Sequence, residues 1–349
     1  MTVQDILDVD KNFQVVSEIN KPDVVLHNGA ASPFSLHGVF YEGGKYRRLP
    51  EQVAGRVSEK VRFLHANTAG GRVRFATDSA YVAVAVQFGK ISRMSHFALT
   101  GSAGLDLYAD DVYVGTFKPM NKTVDSFQGV VELGSRALRQ ITIHLPLYSE
   151  VTDLQIGLQA SAVLEAPVPY RVQKPMVFYG SSITQGGCAS RPGNGYTNIL
   201  SRRLGADHVN LGFSGSALAE DAMAEYISGL DMSAFIYDYD HNAPTTEHLA
   251  QTHERMYQQI RKAQPGLPIV ILSRPRIRLN GEDRQRLAII RDTYEKALAA
   301  GDTHVYFIPG PELMAATGND GTVDGTHPND LGFHSMAGVL CKTLERILK

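Results

Sequence analysis

Tryptophan, cysteine and long apolar runs are missing or scarce in this chain, and each shortage excludes a class of protein. The 349 residues include no tryptophan and only two cysteines, Cys188 and Cys341, which lie far apart in sequence. Two distant cysteines exclude a disulfide framework and a cysteine-rich metal site. No apolar run approaches the ~20 residues of a membrane span, so we expect no membrane partner.

The chain also lacks a strong net charge. Its formal charge is −2 at pH 7 and its basic residues are scattered, so nothing predicts a nucleic-acid partner. Asp5, Asp8 and Asp10 near the start, without a basic or apolar segment, predict no signal peptide. We therefore expect a cytoplasmic protein by default, with export still open if a leader was trimmed from the chain. The sequence leaves homo-oligomerisation open.

The first half of the chain has the pattern of short β-strands. After a leading arm that ends near Asn28, residues 30–162 contain short alternating apolar segments separated by turns, of which Tyr81–Phe88 is the strongest. Close turns without a long helical period are typical of a β-sandwich or jelly roll. We predict this domain over residues 1–165, followed by a proline-spaced linker over 166–175.

The second half, residues 176–349, alternates between strands and helices. The predicted strands are Met176–Tyr179, His208–Phe213, Ala234–Tyr239, Pro268–Ser273 and His304–Ile308. The predicted helices include Thr245–Lys262, Asp283–Ala300 and a last helix from about Asn329. This alternation predicts an α/β fold with a parallel, doubly wound sheet, which binds ligands at the carboxyl ends of its strands.

Polar residues follow several of these strands or lie in the final loop. They are Ser181 and Ser182, then Ser214-Gly215-Ser216, then Asp240 to Pro244, and finally Asp324 to Asn329. A serine becomes a strong nucleophile when a base takes its proton and a carboxylate orients that base. Asp324 and His327 are three residues apart in one turn, so the carboxylate can face one imidazole nitrogen and a serine the other. The N–H of Gly215 and the amide of Asn242 are placed to stabilise an oxyanion.

The chain resembles the SGNH (GDSL-type) hydrolases in four ordered blocks. The blocks are Gly180-Ser-Ser-Ile-Thr, Asn210-Leu-Gly-Phe-Ser-Gly215, Asp240-His-Asn242 and Asp324-Gly-Thr-His327. The resemblance covers the whole C-terminal half and implies a flavodoxin-like domain. In the first half, Gly104-Leu-Asp-Leu-Tyr108 resembles the GxDLY signature of the β-domain that precedes some SGNH esterase domains.

The resemblance assigns a role to each block. It implies that Ser182 is the nucleophile, that His327 is the general base and then acid, and that Asp324 orients it. The implied oxyanion donors are the N–H groups of Ser182 and Gly215 and the side chain of Asn242. No cofactor is implied.

The implied activity is that of a serine esterase acting on short acyl esters, with O-acetyl esters of carbohydrates as the leading expectation. Because there is no tryptophan for a broad sugar-stacking surface, we expect a small or oligomeric substrate. We expect the β-domain to pack over the catalytic edge. Two alternatives stay open: a lipolytic esterase or thioesterase, and a catalytically degenerate carbohydrate-binding protein.

This chain departs from the family pattern at two positions. Ser181 replaces the usual Asp of the first block, and we expect its side chain to cap the following turn. Asp240 replaces the usual Gly of the third block, so the sequence does not settle the backbone conformation near Asn242. This replacement is the feature that favours the alternative of a catalytically degenerate carbohydrate-binding protein.

Other polar residues receive structural interpretations. Asp106 and Tyr108 of the signature are expected in a strand or an interface, and Cys188 as a small packed residue. His241 and His248 are expected in the pocket wall or on a helix surface. We predict no metal site, because Asp238-x-Asp240-x-Asn242 starts like a calcium loop but lacks its glycine and terminal glutamate.

Overall fold

The computed structural model describes residues 6–348, so residues 1–5 and 349, at the outer ends of the two predicted domains, lie outside the described residues. The first half forms, in order, α1 (Ile6–Val9), β1 (Val24–Asn28), β2 (Ser35–His37), β3 (Phe40–Glu42), β4 (Lys45–Arg47), α2 (Glu51–Val57), α3 (Glu59–Leu64), β5 (Arg72–Thr77), β6 (Tyr81–Ile91), α4 (Leu99–Ser102), β7 (Leu105–Ala109), β8 (Val112–Phe117), β9 (Ser126–Glu132), β10 (Arg139–His144), β11 (Ser149–Gln159) and β12 (Leu164–Glu165).

Most of these strands form two antiparallel sheets. One has the order β1-β11-β6-β9, and the other has the order β12-β5-β10-β7-β8, with β2 also paired to β5. Apolar side chains from both sheets, such as Val84, Phe75 and Ile156, form one buried cluster between them. The predicted β-sandwich is therefore confirmed.

Strand β1 and the helices of this half differ from the sequence-based prediction. Strand β1 lies inside the segment predicted as an arm, and it pairs with β11 at the edge of its sheet. Helices α2 and α3 have only 7 and 6 residues, too few turns for a clear helical period. They are stabilised mainly by packing, because Leu49, Ala54 and Val61 lie in a cluster of the second half.

The second half forms, in order, β13 (Val172–Gly180), α5 (Ser182–Gln185), α6 (Tyr196–Leu204), β14 (Ala206–Gly212), α7 (Asp221–Ser228), β15 (Ala234–Asp238), α8 (Thr246–Ala263), β16 (Ile269–Leu272), α9 (Gly281–Ala299), β17 (Val305–Ile308), α10 (Gly310–Leu313) and α11 (Asp330–Ile347). The five strands form a parallel sheet in the order β14-β13-β15-β16-β17. This is the flavodoxin-like strand order, so the predicted fold class is confirmed.

Burial on both faces explains why the central strands are apolar throughout. In β13, Val177 and Tyr179 pack into one cluster, whereas Met176 and Phe178 pack into the cluster on the opposite face. Strand β13 begins at Val172, within the segment predicted as a linker, and its pairing with β14 is irregular between Val172 and Met176. The exact domain boundaries stay a prediction. None of the helices between residues 6 and 348 is both long and apolar enough to span a bilayer.

The two halves share buried surface. Phe97, Leu147 and Tyr148 of the first half belong to the cluster on one face of the parallel sheet, and helices α2 and α3 pack on the other face. The first half therefore packs against both faces of the parallel sheet, near the end where the polar blocks lie.

Candidate active site

Ser182 lies in a tight turn between the central strand and a short helix. Strand β13 ends at Gly180, Ser181 is the N-cap of α5, and Ser182 is the first helical residue. The Ser181 hydroxyl accepts a hydrogen bond of 3.1 Å from the Ile183 N–H, which confirms the predicted cap. A Cβ at Gly180 would collide with Thr184 Oγ1 and the Asp238 carbonyl, so only glycine permits this turn. The half-buried Ser182 is thereby placed at the carboxyl edge of the sheet.

His327 and Asp324 lie in the loop before α11, and His327 faces Ser182. His327 Nε2 is 3.0 Å from Ser182 Oγ, and His327 Nδ1 is 2.8 Å from Asp324 Oδ2. The other Asp324 oxygen accepts the N–H groups of Thr326 and His327 at 2.9 and 2.8 Å. Burial raises the pKa of Asp324, but hydrogen bonds from His327 and Thr326 outweigh it and hold that pKa at about 2. An ionised Asp324 places the proton of neutral His327 on Nδ1, which leaves the Nε2 lone pair toward Ser182.

The block after β14 is held close to the serine turn. The Phe213 N–H donates to the Gly180 carbonyl at 2.8 Å, and the Ser214 N–H donates to Gln185 Oε1 at 3.0 Å. Gly215 has φ +61°, a left-handed conformation that favours glycine, and a Cβ there would meet open space. Glycine is therefore favoured at position 215 by its backbone conformation.

Asn242 ends a 3₁₀ turn after β15 and is fixed to the same block. Its Nδ2 donates to the Phe213 carbonyl at 2.8 Å. One amide hydrogen is used in this contact, and the second is free to meet an oxyanion. Phe213 therefore connects the serine block to the asparagine block, and the structure brings Ser182, Gly215 and Asn242 to one edge of the sheet.

Asp240, the departure from the family pattern, lies in a buried charge network under this turn. Its Oδ2 accepts the Arg274 N–H at 2.9 Å, and its Oδ1 lies 3.3 Å from Arg274 Nη2 and 3.5 Å from Arg286 Nη1. Arg286 also donates to the carbonyls of Asp240 and Ala243 at 3.2 and 3.0 Å. The network contacts the Asn242 turn at both of its ends, Asp240 and Ala243, so Asp240 helps to fix the conformation of the turn.

The GxDLY signature lies at the junction of the two halves. Asp106 is fully buried and accepts hydrogen bonds from Thr116, Arg191 and the Gly193 N–H at 2.7, 2.9 and 2.8 Å. Arg191 also donates to the Tyr108 hydroxyl at 2.6 Å. Burial raises the pKa of Asp106, and the charge of Arg191 opposes that rise. The predicted interface role of Asp106 and Tyr108 agrees with these contacts.

Arg48 is a functional candidate that sequence reasoning missed. Its guanidinium is buried and donates to the carbonyls of Asn210 and Gly212, both at 2.8 Å, and to those of Asn67 and Leu64 at 2.6 and 2.8 Å. Burial lowers the pKa of Arg48 to about 9, so it stays charged at neutral pH. No clear sequence signal marked it, because Arg47-Arg48 lies among other charged residues such as Lys45 and Glu51.

A cleft of about 470 Å³ lies between the first half and the loop after β14. Phe63, Met94 and Tyr148 of the first half line it together with Ser214. The Tyr148 hydroxyl donates to the Ser182 carbonyl at 3.3 Å, so the cleft adjoins the serine turn. The expectation that the β-domain packs over the catalytic edge agrees with this lining.

His241, His248 and Cys188, the other polar residues considered from the sequence, have contacts that agree with structural roles. Burial, followed by the charge of Arg274, lowers the pKa of His241 to about 3, so this imidazole is neutral. His248 lies 3.1 Å from the Leu218 carbonyl. Cys188 is buried in the cluster that contains Ile183, and burial raises its thiol pKa to about 11.

Sequence profiles and known structures identify what this chain is similar to. The profile of the GDSL-like lipase/acylhydrolase family matches residues 173–345, and the profile for the N-terminus of SGNH-hydrolase-type esterases (GxDLY) matches residues 26–164. No curated protein matches the chain in sequence.

Three solved structures have the same architecture over most of the chain. A Bacteroides ovatus protein described as a GDSL-like lipase is 27% identical, with a TM-score of 0.83, 93% of this chain covered and 98% of that one. The salicylyl-acyltransferase SsfX3 of a tetracycline biosynthetic pathway is 19% identical, with a TM-score of 0.77 and coverages of 94% and 98%. The acetyl xylan esterase Est2A of the rumen bacterium Butyrivibrio proteoclasticus is 12% identical, with a TM-score of 0.60 and coverages of 93% and 97%.

Proposed function

We propose, from the premise that this chain belongs to the GDSL-like lipase/acylhydrolase family and is a carboxylic ester hydrolase, that it hydrolyses short-chain acyl esters of carbohydrates through an acyl-enzyme on Ser182. The observation that carries the proposal is the hydrogen-bond chain from Asp324 through His327 to Ser182, with links of 2.8 and 3.0 Å. It supplies a nucleophile, a base and an orienting carboxylate in reach of one another.

Each step follows from these contacts. His327 Nε2 takes the Ser182 proton while Oγ attacks the ester carbonyl. The oxyanion that forms receives hydrogen bonds from the N–H groups of Ser182 and Gly215 and from the free Asn242 amide hydrogen. The protonated His327 then gives its proton to the departing alcohol. Water, activated by the same imidazole, releases the acid.

The preference for a short acyl group and a sugar alcohol is supported by the cleft and by the relatives. The cleft that adjoins the Ser182 turn is lined by the apolar side chains of Phe63 and Met94, which suit an acyl group, and by the polar residues Lys60 and Ser214, which suit hydroxyl groups. The acetyl xylan esterase named above has the same two-part architecture.

The test compares Ser182→Ala with its neighbour Ser181→Ala on p-nitrophenyl acetate. Ser182→Ala is expected to lower kcat by at least ~10³-fold, because the nucleophile is gone. Ser181→Ala is expected to keep most of the activity, because its hydroxyl caps α5 and does not face His327. Full activity in Ser182→Ala would exclude the assigned nucleophile.

The substrate class needs a separate measurement. A series of p-nitrophenyl esters from acetate to decanoate, together with acetylated mono- and oligosaccharides, is expected to show the highest kcat/KM for acetate and release of acetate from the sugars. A maximum at long chains would favour the lipolytic alternative. Failure of an organophosphonate to label Ser182, together with tight sugar binding, would favour the degenerate binding protein.

A further inference from the structure

Three potential metal ligands meet at the mouth of the candidate active site. Within residues 6–348, the donor atoms of His96, Cys188 and His327 all lie within 4.8 Å of one another. They come from the loop after β6, the turn after α5 and the loop before α11. Sequence spacing could not reveal this group, because its members lie far apart along the chain.

The geometry of His327 suits metal binding. Its Nδ1 is engaged by Asp324 at 2.8 Å, which leaves the Nε2 lone pair on the side of Ser182. A carboxylate behind a histidine fixes the tautomer and raises the basicity of the ligand, as in zinc sites. The catalytic pairing of Asp324 and His327 therefore also prepares a metal ligand.

The other two ligands differ in burial. The His96 ring lies with its centroid 5.9 Å from that of His327 and is tilted by 47°. Cys188 is held by a left-handed backbone, φ +75°, in the turn after α5, and its side chain is buried. His96 is exposed, so its side chain can adjust to an ion.

We propose that His96, Cys188 and His327 form an inhibitory binding site for Zn²⁺ or a similar thiophilic divalent cation. Zinc accepts two imidazoles and a thiolate in a tetrahedral site, with bonds of about 2.0–2.3 Å that imply donor separations of about 3.4–3.6 Å. The three donors reach this spacing if they close by about 1 Å on the ion. The fourth position is open to water.

The consequence for activity rests on the proposed function. An ion bound to His327 Nε2 occupies the lone pair that accepts the Ser182 proton, so acylation stops. Binding releases the Cys188 thiol proton to solvent, because the ligand is a thiolate. A chelator removes the ion and restores the base.

Binding is measured first, without relying on activity. Zn²⁺ titration against a chromophoric chelator is expected to show one site per chain, and Co²⁺ is expected to give a thiolate-to-metal charge-transfer band. His96→Ala and Cys188→Ser are each expected to weaken Zn²⁺ binding at least tenfold, and Cys188→Ser to abolish the band. The matched controls His304→Ala and Cys341→Ser keep both signals. Absence of stoichiometric binding, or equal binding by all four variants, overturns the site.

Inhibition is measured next, with each variant compared to its own metal-free rate. Zn²⁺ is expected to inhibit hydrolysis of p-nitrophenyl acetate by wild type over the concentration range in which it binds, and EDTA is expected to restore the rate. In His96→Ala, the Zn²⁺ concentration that gives half inhibition is expected to rise at least tenfold. Zinc that binds with no loss of rate overturns the inhibitory role. Ser182→Ala, which removes the nucleophile, is expected to bind Zn²⁺ normally, so failure of the esterase assignment and failure of the metal site are distinguishable.

Discussion

The Asp106 carboxylate in the first half of the chain lies 2.9 Å from the Arg191 guanidinium in the loop that follows the Ser182 turn. The next residue toward Ser182, Ser190, donates its N–H at 2.9 Å to Asp330, in the first turn of α11, three residues after His327. The β-domain thereby contacts the loop that follows the serine, and that loop in turn contacts the helix that follows the histidine. The GxDLY signature is best understood as the anchor of this contact.

Asp106→Asn is expected to destabilise the protein by about 3 kcal/mol, because it leaves Arg191 without its charged partner in a mostly buried site. Urea unfolding monitored by fluorescence of the tyrosines measures the loss. The control is Asp111→Asn, an exposed residue of the adjoining hairpin, which is expected to change the free energy of unfolding by less than about 0.5 kcal/mol. Equal stability of the two variants would contradict the anchor role.

Arg48→Met is expected to lower kcat more than it raises KM. The substitution removes the donors that hold the Asn210 and Gly212 carbonyls, so the loop carrying Gly215 loses its support from the first half. We expect a loss of kcat of about 10²-fold, comparable to loss of an oxyanion donor. Arg56→Met, at an exposed position in α2, is the control and should retain wild-type kinetics. A pure KM effect in Arg48→Met would mean that the residue acts on substrate binding instead.

Asp240→Gly, which introduces the residue usual in the family, is expected to impair this chain. The change leaves Arg274 and Arg286 facing each other without the carboxylate between them, at a cost of about 3–5 kcal/mol. Asp240→Asn keeps an oxygen acceptor for the Arg274 N–H and should be less destabilised than the glycine variant. The stability of each variant is measured by thermal or urea unfolding, and its activity by kcat on p-nitrophenyl acetate. Wild-type stability of Asp240→Gly would show that the network is dispensable.

Acid is expected to weaken the fold through Asp324. Its pKa is about 2 in the folded protein, against an ordinary value of 3.8, so its ionised form favours folding. A lowered folded pKa contributes stability above about pH 4, and this contribution is lost as the pH falls toward 2. The difference in unfolding free energy between wild type and Asp324→Asn should therefore be constant near neutrality and shrink below pH 4. A difference that does not change between pH 5 and 2.5 would contradict the lowered pKa.

The elements that sequence reasoning placed well have a repeating or local cause. Helix α8 was predicted as Thr245–Lys262 and is observed as Thr246–Ala263. The two ranges agree closely because the signals of this helix, an apolar stripe and the Thr245 cap, lie within one short segment of the chain. Helix α11 begins after the Asn329 cap for the same reason. Strand β1 and helices α2 and α3 were not predicted, because their stability depends on partners elsewhere in the chain.

The sequence by itself determined the two-part fold class and the identity of the four blocks, because alternation, caps and short motifs are local properties of the chain. Only the tertiary structure decided how those blocks are held: Phe213 between Gly180 and Asn242, Arg48 on the Gly212 carbonyl, and Asp240 between two arginines. These contacts join residues tens to hundreds of positions apart. Their energies depend on burial and on distances of a few ångströms, which packing sets and sequence spacing does not encode.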